Sequence, residues 1–267
     1  MIGALKWNVR ATCRRFGFAI PPALICLFII VNALFGTTIV GFRTANSITI
    51  GSDSREIDGQ EVLPDPVCKI YQSGRSQRFW VSSQLWKDLD SGFSVESIVN
   101  RAAHKTAALG DWVAAFDLQI VPELQRTIRI MKSEDGQNFR DRYAGQHILE
   151  IVFFGFEDGV PVVFYRDYRT NARGHLLEPE KVHCPGSKCN DSVEHFCLGE
   201  CAKATAYKKT EQMRSRTLAE TVRDEIRAEI QADWTVGPPI DVLRIDRTGA
   251  RWIGRERDSQ CPPIKSR

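Results

Sequence analysis

The chain has 267 residues, 43% hydrophobic and 26% charged, the composition of a globular protein with a real core. Its formal net charge is +3, but Lys6, Arg10, Arg14 and Arg15 lie in the first fifteen positions and no acidic residue precedes Asp53, so the surplus belongs to the N-terminal segment. A nearly neutral body has no electrostatic footprint for nucleic acid, and no nucleic-acid partner is expected.

Residues 6–15 are basic and residues 16–35 carry no charge; Pro21-Pro22 leaves an apolar stretch from Ala23 to Val31. A positive region followed by a short apolar one has the layout of a secretory signal, with Val31-Asn32-Ala33 as a candidate cleavage site. An uncleaved anchor is the other reading, since about 20 apolar residues cross a bilayer. Both readings export the body to the periplasm or beyond and leave the positive end in the cytoplasm. Membrane contact is expected only through residues 16–35, if they are retained.

From Thr37 the pattern alternates as in strands. Thr37 to Phe42 and Ser47 to Asp53 read as a hairpin about Thr44-Ala45-Asn46. A polar loop runs to Pro66, and Val67 to Tyr71 pairs with Arg78 to Val81. Residues 95–132 show helical spacing, with Gly110 and Pro122 suggesting a break or two helices. Ile148 to Phe156 and Val160 to Tyr168 are strands about the turn signal Glu157-Asp158-Gly159. Residues 170–201 form a polar insert containing Cys and His. Gln212 to Asp233 is an amphipathic helix with Leu218, Val222, Ile226 and Ile230 in one stripe. Ile240 to Ile245 and Ala250 to Ile253 close the chain as a hairpin. This order predicts one α+β domain over 37–267, with an antiparallel two-sheet core and helices outside it.

Beyond Cys13 and Cys26 in the leader, six cysteines remain: Cys68, Cys184, Cys189, Cys197, Cys201 and Cys261. An even number in an exported chain predicts disulfides, and six cysteines allow 15 pairings. The x4, x7 and x3 spacings between Cys184 and Cys201 suit no common zinc finger, so neither a metal nor another cofactor is expected.

Asp53 stands sixteen residues after Thr37, and Lys69 sixteen after Asp53. These intervals, Gly36 before Thr37, the Asp53-Ser54-Arg55 sequence, Gly155 to Gly159, and Asp233 to Ile245 with Gly249 to Trp252 resemble a proteasome β subunit of the exported bacterial type. The resemblance spans about residues 36–254. It implies a four-layer αββα sandwich of the N-terminal-nucleophile class, with residues 1–36 removed as signal or anchor plus propeptide.

The chemistry follows from the residue types. A threonine hydroxyl is a weak nucleophile until a base takes its proton. A terminal threonine carries its own base, an α-amine with a reference pKa of about 7.7–8.0. A neighbouring lysine cation lowers that pKa and polarises the hydroxyl, and a carboxylate orients the lysine. Thr37, Lys69 and Asp53 are the candidates, Arg55 would brace them, and Gly36 permits the tight backbone at the processing site. The resemblance implies a backbone N–H of Ser83 as the oxyanion donor. It also implies Asp233 as a supporting residue. Glu200, Cys201 and Val236 stand where the family has serine, glycine and serine. The expected activity is amide hydrolysis, with peptides or other amides as substrates and a homo-oligomer as a possible assembly. The alternatives are a non-catalytic binding or assembly module, motivated by Glu200 and Val236, and a structural membrane protein that keeps its leader.

Overall fold

In the computed structural model, residues 36–58, 61–74, 77–104, 106, 108–187, 189, 193–208, 216–253, 255 and 259–265 are described. The segment read as signal or anchor lies outside them. The chain opens with β1 (Thr38–Thr44) and β2 (Ser47–Asp53), then four short strands and one long one: β3 (Ile57–Asp58), β4 (Glu61–Val62), β5 (Tyr71–Gln72), β6 (Arg78–Gln84) and β7 (Lys87–Asp88). After β8 (Phe93–Ser94) come α1 (Val95–Ala103), α2 (Leu109–Glu134) and α3 (Gly136–Tyr143). Next are β9 (His147–Glu157), β10 (Val160–Arg169), β11 (Glu180–Cys184) and β12 (Val193–Gly199). The chain ends with α4 (Ala202–Lys208), α5 (Leu218–Ala232), β13 (Ile240–Asp246) and β14 (Gly249–Trp252).

Two five-stranded sheets form, in the orders β12-β1-β2-β13-β14 and β11-β10-β9-β6-β5, and every pairing in them is antiparallel. The period of two in each strand sorts its side chains between two cores. From the first sheet Ile39, Ile48, Ile50, Leu198, Leu243 and Ile245 meet Phe79, Val81, Val152, Phe154 and Val163 of the second. The alternate residues Val40, Phe42, Ile240 and Val242 pack with Val222 and Ile226 of α5. On the far side of the second sheet, Trp80, Ile151, Phe153 and Phe164 pack with Trp112, Phe116 and Ile120 of α2. The fold is thus a mixed α/β domain built on antiparallel sheets, as the element order predicts.

Local signals explain most boundaries. Asp158 (φ 50°) and Gly159 (φ 76°) supply the two left-handed residues of the β9–β10 turn. Thr217 and Glu220 form a reciprocal capping box that starts α5.

Three expectations need correction. Pro122 does not break α2, which runs 26 residues through it. Proline removes the N–H that would reach Leu118, but Leu118 is 80% exposed and its carbonyl can turn to water. Residues 170–201 are not an insert, because β11 and β12 lie within them as the outer strands of the second and first sheets. The segment Val67 to Ile70 is not a strand; only Tyr71–Gln72 joins β6.

Candidate functional site

The site is built at the N-terminal end of β1. The β1–β2 register pairs Ile39 with Ser52, so Asp53 lies across from Thr38. Asp53 is fully buried. One carboxylate oxygen accepts from Thr38 N (2.9 Å) and Lys69 Nζ (2.9 Å), and the other from Arg55 N (3.2 Å) and Gly237 N (3.3 Å). Burial pushes the Asp53 carboxyl above the ordinary carboxylate range, while the Lys69 charge and the Thr38 and Gly237 donors pull it back.

Lys69 reaches the same point from the other side. Its segment is fixed by Val67 N donating to Ser54 O (2.8 Å) and by the Cys68–Cys261 disulfide. The ammonium Nζ lies 3.1 Å from Thr37 Oγ1 and 3.5 Å from Gly36 O. One cation therefore touches the hydroxyl, the carbonyl before it and the buried carboxylate, with the Gly36–Thr37 bond intact. Gly36 is itself enclosed: a Cβ there would fall on Thr235 Oγ1 and on the Thr235 backbone. Glycine is needed at this position for space.

A turn at the end of β12 holds Thr37 from above. Glu200 N donates to Thr37 O (2.8 Å) and Thr38 Oγ1 donates to Glu200 O (2.8 Å). Gly199 has φ 76°, and a Cβ on it would fall on Thr37 O. The Cys197–Cys201 disulfide closes this turn. Opposite it, Asp233 ends α5 and accepts from Thr235 N (2.8 Å) and Thr235 Oγ1 (2.6 Å), which seats Thr235 against Gly36. The Arg55 guanidinium covers Gly237 and donates to Trp234 O. Val236 is fully buried. Ser83 is buried on β6 opposite Glu150, and its hydroxyl donates to that side chain (3.0 Å).

The structure thus brings together Gly36, Thr37, Asp53 and Lys69, with Arg55, Glu200 and Asp233 around them. Ser83 lies one step away, beside Gly199. The six cysteines of the body form Cys68–Cys261, Cys184–Cys189 and Cys197–Cys201, and three disulfides fit an oxidising environment. Among the described residues no helix is long and apolar enough to cross a membrane.

Glu200 is half-buried, and its carboxyl is pushed up to about 6, first by burial and then by Asp233, Glu229 and Glu150. A carboxyl raised on folding favours the protonated native state. Its stabilisation is full below the unfolded value, near 4.5, and is lost as pH rises through about 6. Glu200→Gln should therefore raise the melting temperature at pH 8 by about 2 °C and leave it unchanged at pH 4.5. Thermal melts at the two pH values check this.

His147, Glu150 and Asp167 place one ligand atom each within 4.8 Å of the others. They are already engaged: His147 Nδ1 with Asp167 (2.8 Å), Asp167 with Arg169 (2.6 Å), and Glu150 with Ser83 and Tyr165. The Asp167 hydrogen bond raises the His147 pKa, which suits an ion-pair chain.

The sequence reading passed over three residues. Thr235 had a usable signal, because Asp-x-Thr after a helix is an Asx-turn pattern. Gly199 follows Phe196-Cys197-Leu198 and directly precedes Glu200, the residue the resemblance sets in the serine's place, so it too had a signal. Glu150 is a single carboxylate inside the apolar stretch Ile148 to Phe154, where an unpaired charge would be costly.

A mixed α/β domain with a threonine, a lysine and a buried aspartate converging at the start of its first strand is the class that fold and site define. No family model matches the chain, and no curated protein matches it. Among solved structures, the chain is similar to a Gly-1 mutant of Anbu from Hyphomicrobium sp. strain MC1. The TM-score is 0.49 and the identity 15%, over 84% of this chain and 88% of that one. A likeness at that level carries no inference about the chemistry here.

Proposed function

We propose that this chain is a self-processing hydrolase of the N-terminal-nucleophile class, with Thr37 as nucleophile and Lys69 and Asp53 as the groups that tune it. The reading treats the two sheets and the helices outside them as the four-layer αββα sandwich of that class. The observation that carries it is the Lys69 ammonium, 3.1 Å from Thr37 Oγ1 and 2.9 Å from Asp53.

In the precursor, Thr37 Oγ1 attacks the Gly36 carbonyl carbon. The Oγ–C bond forms, the Gly36–Thr37 C–N bond breaks, and the hydroxyl proton passes to the leaving nitrogen. Water then hydrolyses the ester, leaving a Gly36 carboxyl and a free Thr37 amine. Lys69 Nζ, 3.5 Å from Gly36 O, stabilises charge developing on that oxygen. In the mature enzyme the freed amine is the base and an amide substrate, a peptide first, takes the place of the Gly36 carbonyl. Ser83 N–H is proposed as oxyanion donor, and Arg55, Glu200 and Asp233 as supports. The enzyme acts outside the cytoplasm, as the leader and the disulfides support, and self-associates; light scattering tests the last point.

Intact mass and Edman sequencing of the purified protein test the reaction. A chain beginning at Thr37, with Thr37→Ala left uncut at Gly36, is the expected result. Cleavage after Ala33 alone in both proteins would defeat it. That outcome would favour the second reading, a non-catalytic module, which has its own motive: Val236 is fully buried and apolar where the family resemblance leads one to expect a hydroxyl.

A further inference from the structure

Glu150 lies in the middle of β9, among Ile148, Leu149, Ile151 and Val152, and is 6% exposed. A carboxylate there would be costly unless its oxygens were occupied. They are occupied by groups from both sheets. One oxygen accepts from Ser83 Oγ on β6 (3.0 Å) and from Gly199 N on β12 (2.8 Å). The other accepts from Tyr165 Oη on β10 (2.9 Å), with His147 Nδ1 at 3.7 Å.

The Gly199 contact is the one with a consequence for the reaction. Gly199 and Glu200 form the turn that donates to Thr37 O and accepts from Thr38 Oγ1. That turn comes from the first sheet, whereas Glu150 and Ser83 come from the second. The Cys197–Cys201 disulfide limits the shape of the turn but does not attach it to the opposite sheet. Among the described residues, Glu150 makes that attachment through the Gly199 N–H.

We infer that Glu150 is a positioning residue for Thr37: it fixes the Gly199–Glu200 turn across the two sheets and thereby sets where the nucleophile sits. It touches no reacting atom. Reach matters more than charge, because the required property is an acceptor long enough to span from β9 to Gly199. The kinetic part of this inference rests on the hydrolase reading above; the geometric part does not.

The test uses the full chain and the variants Glu150→Gln, Glu150→Asp and Glu150→Ala. Cleavage at Gly36–Thr37 is followed by intact mass, amide hydrogen exchange by peptide mass, and folded fraction by circular dichroism. Glutamine keeps the length and one acceptor oxygen, so E150Q should cleave within about tenfold of wild type. E150D keeps the charge but falls short, and should slow cleavage about 100-fold, as E150A should, at unchanged folded fraction. Exchange should quicken in peptides covering residues 197–201 and 37–39 in the two slow variants and stay slow elsewhere. The inference is overturned if all three cleave at the wild-type rate, if slowing merely follows the loss of folded protein, or if E150D outperforms E150Q. Should wild type itself fail to cleave, the hydrolase reading fails and exchange alone decides. Faster exchange at the two segments in E150D then upholds the positional role, and unchanged exchange removes it. If E150A does not fold, the E150Q and E150D pair carries the comparison.

Discussion

Lys69→Met in the full chain is expected to slow cleavage at Gly36–Thr37 by about 10³-fold, the upper end of the loss on removing one positioned donor to developing charge. Before processing no free α-amine exists at Thr37. Among the described residues, the cation in contact with the Thr37 hydroxyl and polarising it is then Lys69, at 3.1 Å. The same ammonium lies 3.5 Å from the Gly36 oxygen on which charge would develop, so one substitution removes two effects. Methionine matches the apolar stem and cannot supply either.

The variant also breaks a buried ion pair, since Asp53 is fully buried and Lys69 nearly so. Removing one partner of such a pair costs about 3–5 kcal/mol, and the melting temperature should fall by about 10 °C. A loss of cleavage could then be confused with a loss of fold. Asp53→Asn/Lys69→Met separates the two. It removes both charges, and asparagine can still accept from Arg55 N and Gly237 N through its one oxygen. Its amide nitrogen would face the Thr38 N–H, so recovery of the melting temperature should be partial. Cleavage should stay absent. If the double variant regained both stability and cleavage, Lys69 would have only a structural role.

The Thr37–Asp53 half of this site is legible in the sequence by geometry. A short turn at 45–46 between two seven-residue strands sets the register, and the register puts Asp53 across from Thr38. The Lys69 half is not. Its interval matches a family pattern, yet the segment carrying it is no strand, and its position depends on a hydrogen bond to Ser54 and a disulfide to Cys261. The disulfide cannot be read from spacing, because its partner is 193 residues away. The outer strands were obscured for another reason. In β12 only Leu198 is fully buried, so the run from Val193 to Gly199 shows no alternating apolar face to detect. Pro122 misled because its rule concerns a lost hydrogen bond, and the cost of that loss depends on exposure that only the fold reveals.

Opening the Cys68–Cys261 disulfide should cost more than opening either of the others, and should silence the site as well as weaken the fold. The chain-entropy model makes a bridge more stabilising the longer the loop it closes. Sequence separations of 193, 5 and 4 give about 5 kcal/mol for Cys68–Cys261 and about 2 kcal/mol each for Cys184–Cys189 and Cys197–Cys201. For a domain of this size that is a fall in melting temperature of about 10–20 °C for Cys68→Ser/Cys261→Ser, and about half that or less for each of the other pairs. One local interaction opposes the difference. Asp241 is fully buried, its Oδ2 accepts from Ser54 Oγ (3.1 Å), and its Oδ1 has no hydrogen-bond partner among the described residues. Cys261 Sγ lies 3.2 Å from Oδ2, but a disulfide sulfur has no proton to donate. A serine hydroxyl at 261 does, so the double serine variant recovers about 1 kcal/mol and the measured loss should fall somewhat below the entropy figure. The effect on function comes from sequence adjacency. Cys68 precedes Lys69, and the segment they share has no sheet pairing to hold it once the bridge is gone. Cleavage at Gly36–Thr37 should drop at least about tenfold at temperatures where circular dichroism still reports a folded domain. Cys184→Ser/Cys189→Ser, whose loop is remote in sequence from Thr37, Asp53 and Lys69, should process at the wild-type rate. Equal processing in the two double variants would show that the bridge holds the tail and leaves the ammonium where it is.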